Sequence, residues 1–510
     1  MSYSMHLLAG SATPGSVEVS ENPWRNLLKD NGWQSLIEAS IVDLVRVIQP
    51  FLGKPGSPSS VYAFEKDLEK AGRELLRRIV QWVFNHLEGD DTAVLPKHVV
   101  YESASYTLIK KKTRQNVWTR FGKISMWRFG YRSTIKGHDL SIFPLARILG
   151  LIHGATPGLA EEVGRLLGEG GMTQSRTMDH LGRDFDIHFG VKKLRQIAET
   201  LSEAIEEERH ETQVERLEQL LKLATQSRGS RKPVIAVGRD GVTIGLRIKY
   251  GRLFEVAATG TVTVFDRQGN RLGTIYLAQV PEPEQPTMTR KLTRLLKDLL
   301  SRWKGPLPRM CYVTDAGENE TSYYKKVLKP MKHPVTGKPL EWIRVLDYYH
   351  ATIRVWKMSE LVFGKRIRGT SWARKMLKWL KMPGGINRVL RSAAAMRDRY
   401  MGKTKREKFN TAYRYLRNRM AFMKYSQYRK KGIPLGSGIT EAACKTVYTQ
   451  RLKLSGMSWK RTGAQTILNL RIMILSGVWD EAFKRLLLKS VEPKVRGQAN
   501  STIQGLQIAA

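Results

Sequence analysis

From Ser230 onward the order of structural signals restricts the possible folds more than any other feature of this chain. "KPVIAVGRDGVTIGL", "LFEVAATGTVTVFDRQG" and "RLGTIYLAQV" are three consecutive runs rich in β-branched residues, with turn sequences at "KYGR" and "RQGN". They predict three antiparallel strands. Pro281 to Thr287 is a linker, and "TMTRKLTRLLKDLLSRW" has the spacing of an amphipathic helix. "RMCYVTDAG" predicts a fourth strand, followed by a short helix from Thr321, and "EWIRVLDYYH" a fifth strand running into a helix. A chain written this way is α+β, with its strands in one sheet and its helices between them.

The residues before Ser230 read differently. Residues 1–110 predict a helical domain. "NPWRNLLKDNGWQSLIEASIVDLVRVIQPFLG" ends on Gly53, and "SSVYAFEKDLEKAGRELLRRIVQWVFNHLEG" repeats the pattern, with Ser59 or Ser60 as N-cap and Gly89 as C-cap. Residues 111–190 form a second region. In it "NVWTRFGKISMWRFGYRST" predicts a hairpin, and Thr173 to Leu201 reads either as helix-turn-helix, with its turn at "GRDFDIH", or as ordinary helix packing. In residues 191–230, Leu194, Ile197, Leu201 and Ala204, then Val214, Leu217, Leu221 and Ala224, have 3-4-3 spacing. That predicts a long helix, or a helical hairpin broken near "EEERHE", serving as a connector or a dimer contact.

Charge narrows the partners. Lys and Arg number 86 against 46 Asp and Glu, a formal net charge of +40. Residues 351–434, read as a wholly helical insertion, carry 24 Lys or Arg against Glu360, Asp398 and Glu407. A block this basic suits phosphates, while its interleaved aromatics, among them Trp356, Trp372, Trp379, Tyr400, Tyr413, Tyr415, Tyr425 and Tyr428, suit its own core. Two cysteines, Cys311 and Cys444, make no disulfide framework, so a reducing cytosol is the expected compartment. The opening "MSYSMHLLAGSATPGS" has no signal-peptide pattern, and no run is long and apolar enough for a transmembrane helix. Nucleic acid is therefore the expected partner, and a membrane is not.

Three acids stand out in this basic chain. Asp240 follows "PVIAVG", Asp315 follows "MCYVT", and Glu441 opens a helix after "GSG". Singly, each has an ordinary explanation: Asp-Gly makes turns, and an acid in a first helical turn is stabilised by the helix dipole by ~0.3–1 kcal/mol. Jointly, two strand ends and a helix start suit a hard-cation site. Two Mg²⁺ or Mn²⁺ ions ~3.5–4 Å apart can serve both oxygens of a phosphodiester displacement. The glycines and Ser437 would then set the approach of backbone to DNA, and Lys445, Arg451 and Lys453 would follow on the same helix facing phosphates.

"VGRDGVTIG", "VTDAGENE", "LDYYHATIRVW" and "GSGITEAACKTVYTQRLKLSGMSWKRTGAQTILNLRIMILSGVWDEAF" together resemble a bacterial insertion-sequence transposase of the DDE class, in the ISKra-type group of the mutator-like superfamily. The resemblance spans about residues 230 to 485 and is strongest in the last stretch. It implies an RNase H-like catalytic core, which the strand and helix order also matches. The core would run through 231–350 and 435–490, interrupted by the all-α insertion at 351–434 and followed by a flexible tail at 491–510. Asp240, Asp315 and Glu441 match the family's acids, separated by 75 and 126 residues, and would bind both metal ions. Asp347 and His350 match its Asp-x-x-His; His350 would orient a phosphate or help proton transfer, or serve the structure alone. Trp459, next to Lys460, would stack on a displaced base or pack in the core. Cys444 departs from the expected polar residue and is expected to stay clear of the acids. The resemblance implies binding of terminal inverted repeats and target double-stranded DNA, strand cleavage and strand transfer, a homodimer or higher oligomer, and a cytoplasmic, nucleoid-associated site of action. The alternatives are a nuclease or resolvase on the same fold, and a non-catalytic nucleic-acid-binding protein.

Overall fold

The computed structural model describes residues 30–53, 56–89, 92–101, 104–135, 141–400, 403–490 and 507–508. The opening read for a signal peptide, the first residues of the first helical run and almost all of the tail at 491–510 lie outside the described residues. The chain is mixed α+β and divides into two compact units. No helix among the described residues is long and apolar enough to cross a membrane.

The first unit takes the described parts of Met1–Val163, Gln174–Leu201 and Lys484–Ala510. Helices α1 (Asn31–Gly53) and α2 (Pro58–His86) are followed by short strands β1 (His98–Tyr101) and β2 (Ala104–Leu108). These strands fall within the stretch expected to be helical, where the alternating "HVVY" and "ASYTL" are too short for helices and pair with each other. The N-cap of α2 is Ser57, not Ser59 or Ser60. Pro58 occupies the first turn, and Ser57 and Ser60 exchange side-chain to backbone hydrogen bonds as a capping box. The helix closes on Leu87 rather than Gly89. The expected hairpin is present as β3 (Thr113–Thr119) and β4 (Gly122–Arg128). Strands β5 (Tyr131–Ser133) and β6 (Ser141–Ile142) and helices α3 (Pro144–Ile148) and α4 (Pro157–Gly168) follow.

Helix α5 (Gln174–Phe185) and α6 (Val191–Gln226) flank a turn that begins only at Asp186, which has φ +52°. Helix α6 is continuous through "EEERHE". Arg209 lies 2.7 Å from Glu206 and 2.8 Å from Gln213, one helical turn away on either side, and ties the expected break together. Leu194, Ile197, Leu201, Val214, Leu217, Leu221 and Ala224 are buried within their own chain, so these residues are not open to a second copy.

The second unit takes Gly164–Thr173 and Ser202–Phe483. Its sheet has the order β11-β10-β7-β8-β9, from β7 (Val234–Ile248), β8 (Gly251–Phe265), β9 (Arg271–Gln279), β10 (Arg309–Thr314) and β11 (Trp342–Leu346). The first three are antiparallel, and β10 runs parallel to both β7 and β11. Helix α7 (Pro286–Arg302) buries Met288, Leu292, Leu295, Leu296, Leu299 and Leu300 on the face where Arg239 and Gly260 point. Helix α8 (Glu318–Tyr323) starts at Glu318 rather than Thr321, because the chain turns at Ala316 (φ +62°) and Gly317 caps the helix.

Helices α9 (Tyr348–Phe363), α10 (Ile367–Leu380), α11 (Gly385–Tyr400), α12 (Lys403–Arg419) and α13 (Tyr425–Lys430) form the expected basic block. Its core is continuous with that of the sheet: Val234, Cys311, Val313 and Val345 share one cluster with Trp372, Tyr425 and Tyr428, and Trp379, Tyr413 and Tyr415 pack against it. Trp356 stays partly exposed. Helix α14 (Gly438–Ala443) then continues through a π-type turn (Cys444–Thr449) to Gln450–Leu452, before α15 (Arg461–Leu475) and α16 (Trp479–Ser490).

Helix α14 docks on the face of β7 opposite α7. Gly238 makes this possible, since a Cβ there would overlap Thr440 Oγ1. Thr440 Oγ1 instead lies 2.8 Å from Thr261 Oγ1 on β8. Gly238→Ala is expected to destabilise the chain by ~1–3 kcal/mol, the range for overpacking, measured by denaturant unfolding. Adding Thr440→Ala, which removes the obstructing hydroxyl, is expected to recover part of the loss.

Candidate active site

Asp240 does not end its strand. It lies within β7 and pairs with Thr259 of β8. What ends beside it is the pairing with β10, whose last partner on β7 is Val237. Beyond that point β7 and β10 part, with Asp240 on one side and Asp315, one residue past β10, on the other. Asp240 Oδ1 accepts from the Gly241 N–H at 2.7 Å, and Asp315 Oδ1 from the Gly317 N–H at 3.0 Å. The strand end carrying Asp315 is held from the basic block: Tyr415 donates to the Asp315 carbonyl at 2.7 Å and Arg419 to the Ala316 carbonyl at 3.3 Å. Arg354 and Arg419 both lie over the Tyr415 ring.

A second group centres on Asp347, which is fully buried and caps α9 by accepting from the His350 N–H at 2.8 Å. Its other oxygen accepts from the Ser437 backbone N–H and lies 2.6 Å from Ser437 Oγ. Ser437 Oγ is also 2.9 Å from Glu441 Oε1, and His350 Nε2 is 3.3 Å from the same oxygen. Ser437 thus has one hydrogen to offer two carboxylates. Asp347, His350 and Glu441 each present a ligand atom within 4.8 Å of the others, the one such group among the described residues. Asp240, Asp315 and Glu441 are not drawn that tightly together. Within "GSG", Gly438 is exposed, while Gly436 and Ser437 make contacts inside the chain. Ser437 is buried, and Gly436 lets the loop pass the Tyr349 ring, where a Cβ would come within 2.9 Å.

The acids nevertheless share one electrostatic environment. Burial raises the Asp240 carboxyl above its usual range, and the negative charges of Asp315 and Glu441 push it the same way. Burial also raises Glu320, helped by Asp315 and Asp240 and partly offset by Arg239. Glu320 is a fourth acid that the sequence reading passed over. It lies in the first turn of α8, and its carboxylate reaches back over Gly317. "VTDAGENE" contains the available signal, an acid at a helix start just beyond the candidate Asp315.

Cys444 is not clear of the acids. Its thiol lies 3.2 Å from Oγ1 of Thr259, the strand partner of Asp240, and feels the negative charge of the Asp240 carboxylate. Burial pushes that thiol up to about 12, and the negative charge of Asp240 acts in the same direction.

Of the residues expected on DNA, Lys445, Lys453 and Lys460 are exposed. Arg451 is not: it is fully buried, donates from Nε to the Leu167 carbonyl at 2.7 Å, and lies over the Trp459 ring. Burial, with Arg471 nearby, lowers it to about 10. Arg471 makes the matching bond to the Gly168 carbonyl at 2.6 Å, so both arginines cap the C-terminus of α4. Trp459 donates its indole N–H to the Leu452 carbonyl at 3.0 Å, and its backbone pairs with β7. No model of a known protein family matches this sequence, and no curated protein matches it.

Asp240 and Glu320 keep their protons to higher pH in the folded chain than in the unfolded one, so stability falls as pH rises through that interval. In metal-free buffer, Asp240→Asn is expected to melt above wild type at about pH 8, by a margin larger than at about pH 3.5, below the ordinary carboxylate range. A variant that melts below wild type at the higher pH would contradict this account.

Proposed function

We propose that this chain is a metal-dependent DNA transposase of the DDE class, built on an RNase H-like core. It would bind terminal inverted repeats, hydrolyse a phosphodiester at each end, and join the freed 3′-hydroxyl to target DNA. The observation that carries this reading is the gathering of Asp240, Asp315, Glu320 and Glu441 where β7 and β10 part. The sheet supports it too, with three antiparallel strands in sequence and then two parallel ones added beside the first, the order expected of an RNase H-like core.

The donor set fits a hard divalent cation. Burial and neighbouring negative charge raise the proton affinity of Asp240 and Glu320, a positive ion would relieve that repulsion, and oxygen donors suit Mg²⁺ or Mn²⁺. Asp240, Asp315 and Glu441 would hold two such ions, with Glu320 within electrostatic reach and Asp347 and His350 beside Glu441. A divalent cation at such a site activates the attacking oxygen and neutralises charge on the leaving one. The chain's own residues do the rest. Ser437 and His350 fix Glu441 Oε1, the Gly241 N–H fixes Asp240, and Tyr415 fixes the backbone at Asp315. The exposed cations of the basic block and Lys445, Lys453 and Lys460 would receive the phosphates. The expected setting is a bacterial cytoplasm, at the nucleoid.

At a net charge of +40, binding to DNA is expected whatever the chemistry, so affinity decides little. The test is Mg²⁺-dependent nicking of DNA carrying the element's own ends, followed by joining to a target. Glu441→Gln keeps the side chain's size and removes its charge. It is expected to leave binding intact and to lower nicking by at least about 10²-fold, the scale of losing one preorganised electrostatic group. Nicking without joining would make the chain a nuclease on this fold. Equal nicking by both proteins would remove Glu441 from the chemistry.

A further inference from the structure

Helix α1 carries two apolar seams, and among the described residues only one of them is packed against the rest of the chain. The inner seam, Trp33, Ile37, Ser40, Leu44, Val47 and Phe51, advances in alternating steps of four and three residues. It packs on α2: Trp33 meets Trp82 edge-on at 5.2 Å, Phe51 stacks on Phe64 at 4.2 Å, and Ser40 is buried. The outer seam is Ile41, Val45, Ile48 and Leu52, in steps of four, three and four. These side chains are 53, 48, 37 and 72% exposed, and Val42 beside them is 47% exposed. That is a heptad stripe, uncovered by the described residues, along a 23-residue helix, ~35 Å long.

We propose that this outer seam of α1 is a self-association surface, paired in solution with the same seam of a second copy of this chain. Charge selects the occupant. Helix α1 holds Glu38, Asp43 and Arg46; α2 holds five basic and four acidic residues; together they are neutral in a chain of +40. A neutral apolar face releases no counterions from DNA and gains nothing from its phosphates. Two copies of so basic a chain repel each other over most of their surface and approach at least cost where the charge vanishes. A seam with heptad spacing is complementary to itself under a two-fold axis, as an isologous contact requires. The inference stands on the helix and its charge and does not depend on the catalytic reading. Where that reading holds, it supplies the contact that pairs two ends, in place of the buried seam of α6.

The test needs neither DNA nor metal, so it is separate from the test of catalysis. The full chain, freed of nucleic acid at high salt, is weighed by sedimentation velocity or light scattering beside Val45→Glu. Wild type is expected as a dimer and the variant as a monomer of half the mass, with unchanged circular dichroism, since Val45 is exposed. A second variant guards against misfolding. The native cysteines are buried, so Val45→Cys introduces the accessible thiol, and a short bis-maleimide is expected to link two such chains and to leave wild type unlinked. A monomeric wild type overturns the proposal, whether DNA, residues 1–29 or nothing then covers the seam. A Val45→Glu chain that stays dimeric, or a Val45→Cys chain that does not cross-link, overturns it too.

Discussion

The close seat of α14 on the sheet governs the rest of the site. A glycine at 238 lets the helix approach, and two contacts at one-turn spacing hold it there. Thr440 meets Thr261, and Cys444 meets Thr259, the strand partner of Asp240. Thr440 and Cys444 share one face of the helix, while Gly238 and Asp240 share one face of β7. This register carries Glu441, the residue after Thr440, to the place where β7 leaves β10. Any slip would move the Glu441 carboxylate away from both Asp240 and the Asp347–His350 pair.

Bringing several carboxylates together in a partly buried corner is unfavourable, and the surrounding structure shows how they are held there. Each of these side chains has a local donor: the Gly241 N–H for Asp240, the Gly317 N–H for Asp315, the Ser437 N–H for Asp347 and the Ser437 hydroxyl for Glu441. The basic block, expected as an all-α insertion, acts as the clamp. Tyr415, Tyr425 and Tyr428 donate to backbone carbonyls at Asp315, Leu346 and Arg344, which fixes the exits of β10 and β11. Its charge and its aromatics therefore have different tasks. The rings build the core and hold the strands, while many of the cations lie at the surface.

The element order of the second unit was legible because strands of period two and helices of period 3.6 leave distinct patterns, and those patterns met at Gly, Pro and Asn turns. The acids were legible as residue types, while their environment was not. Nothing local tells that Asp240 lies within its strand, because only the absent partner at β10 makes it an opening. Glu320 was hidden by the ordinary preference for acids in first helical turns. Arg451 was misplaced because a cation in a basic stretch reads as surface; its partner, the Leu167 carbonyl, lies 284 residues away in sequence. The electrostatic coupling of Cys444 to Asp240 crosses a comparable gap, 204 residues. The capping of α2 was missed by a few residues for a simpler reason, since Pro58 shifts the helix start.

The central claim is that these carboxylates form a divalent-cation site. The most direct measurement is a titration of the full chain with Mn²⁺, followed by loss of the free-ion electron paramagnetic resonance signal. Wild type is expected to bind Mn²⁺ and to release it to excess Mg²⁺, and Asp315→Asn is expected to bind markedly less. If wild type leaves the free signal unchanged, or if Asp315→Asn binds as wild type does, the acids are a structural feature and the proposed chemistry has no centre.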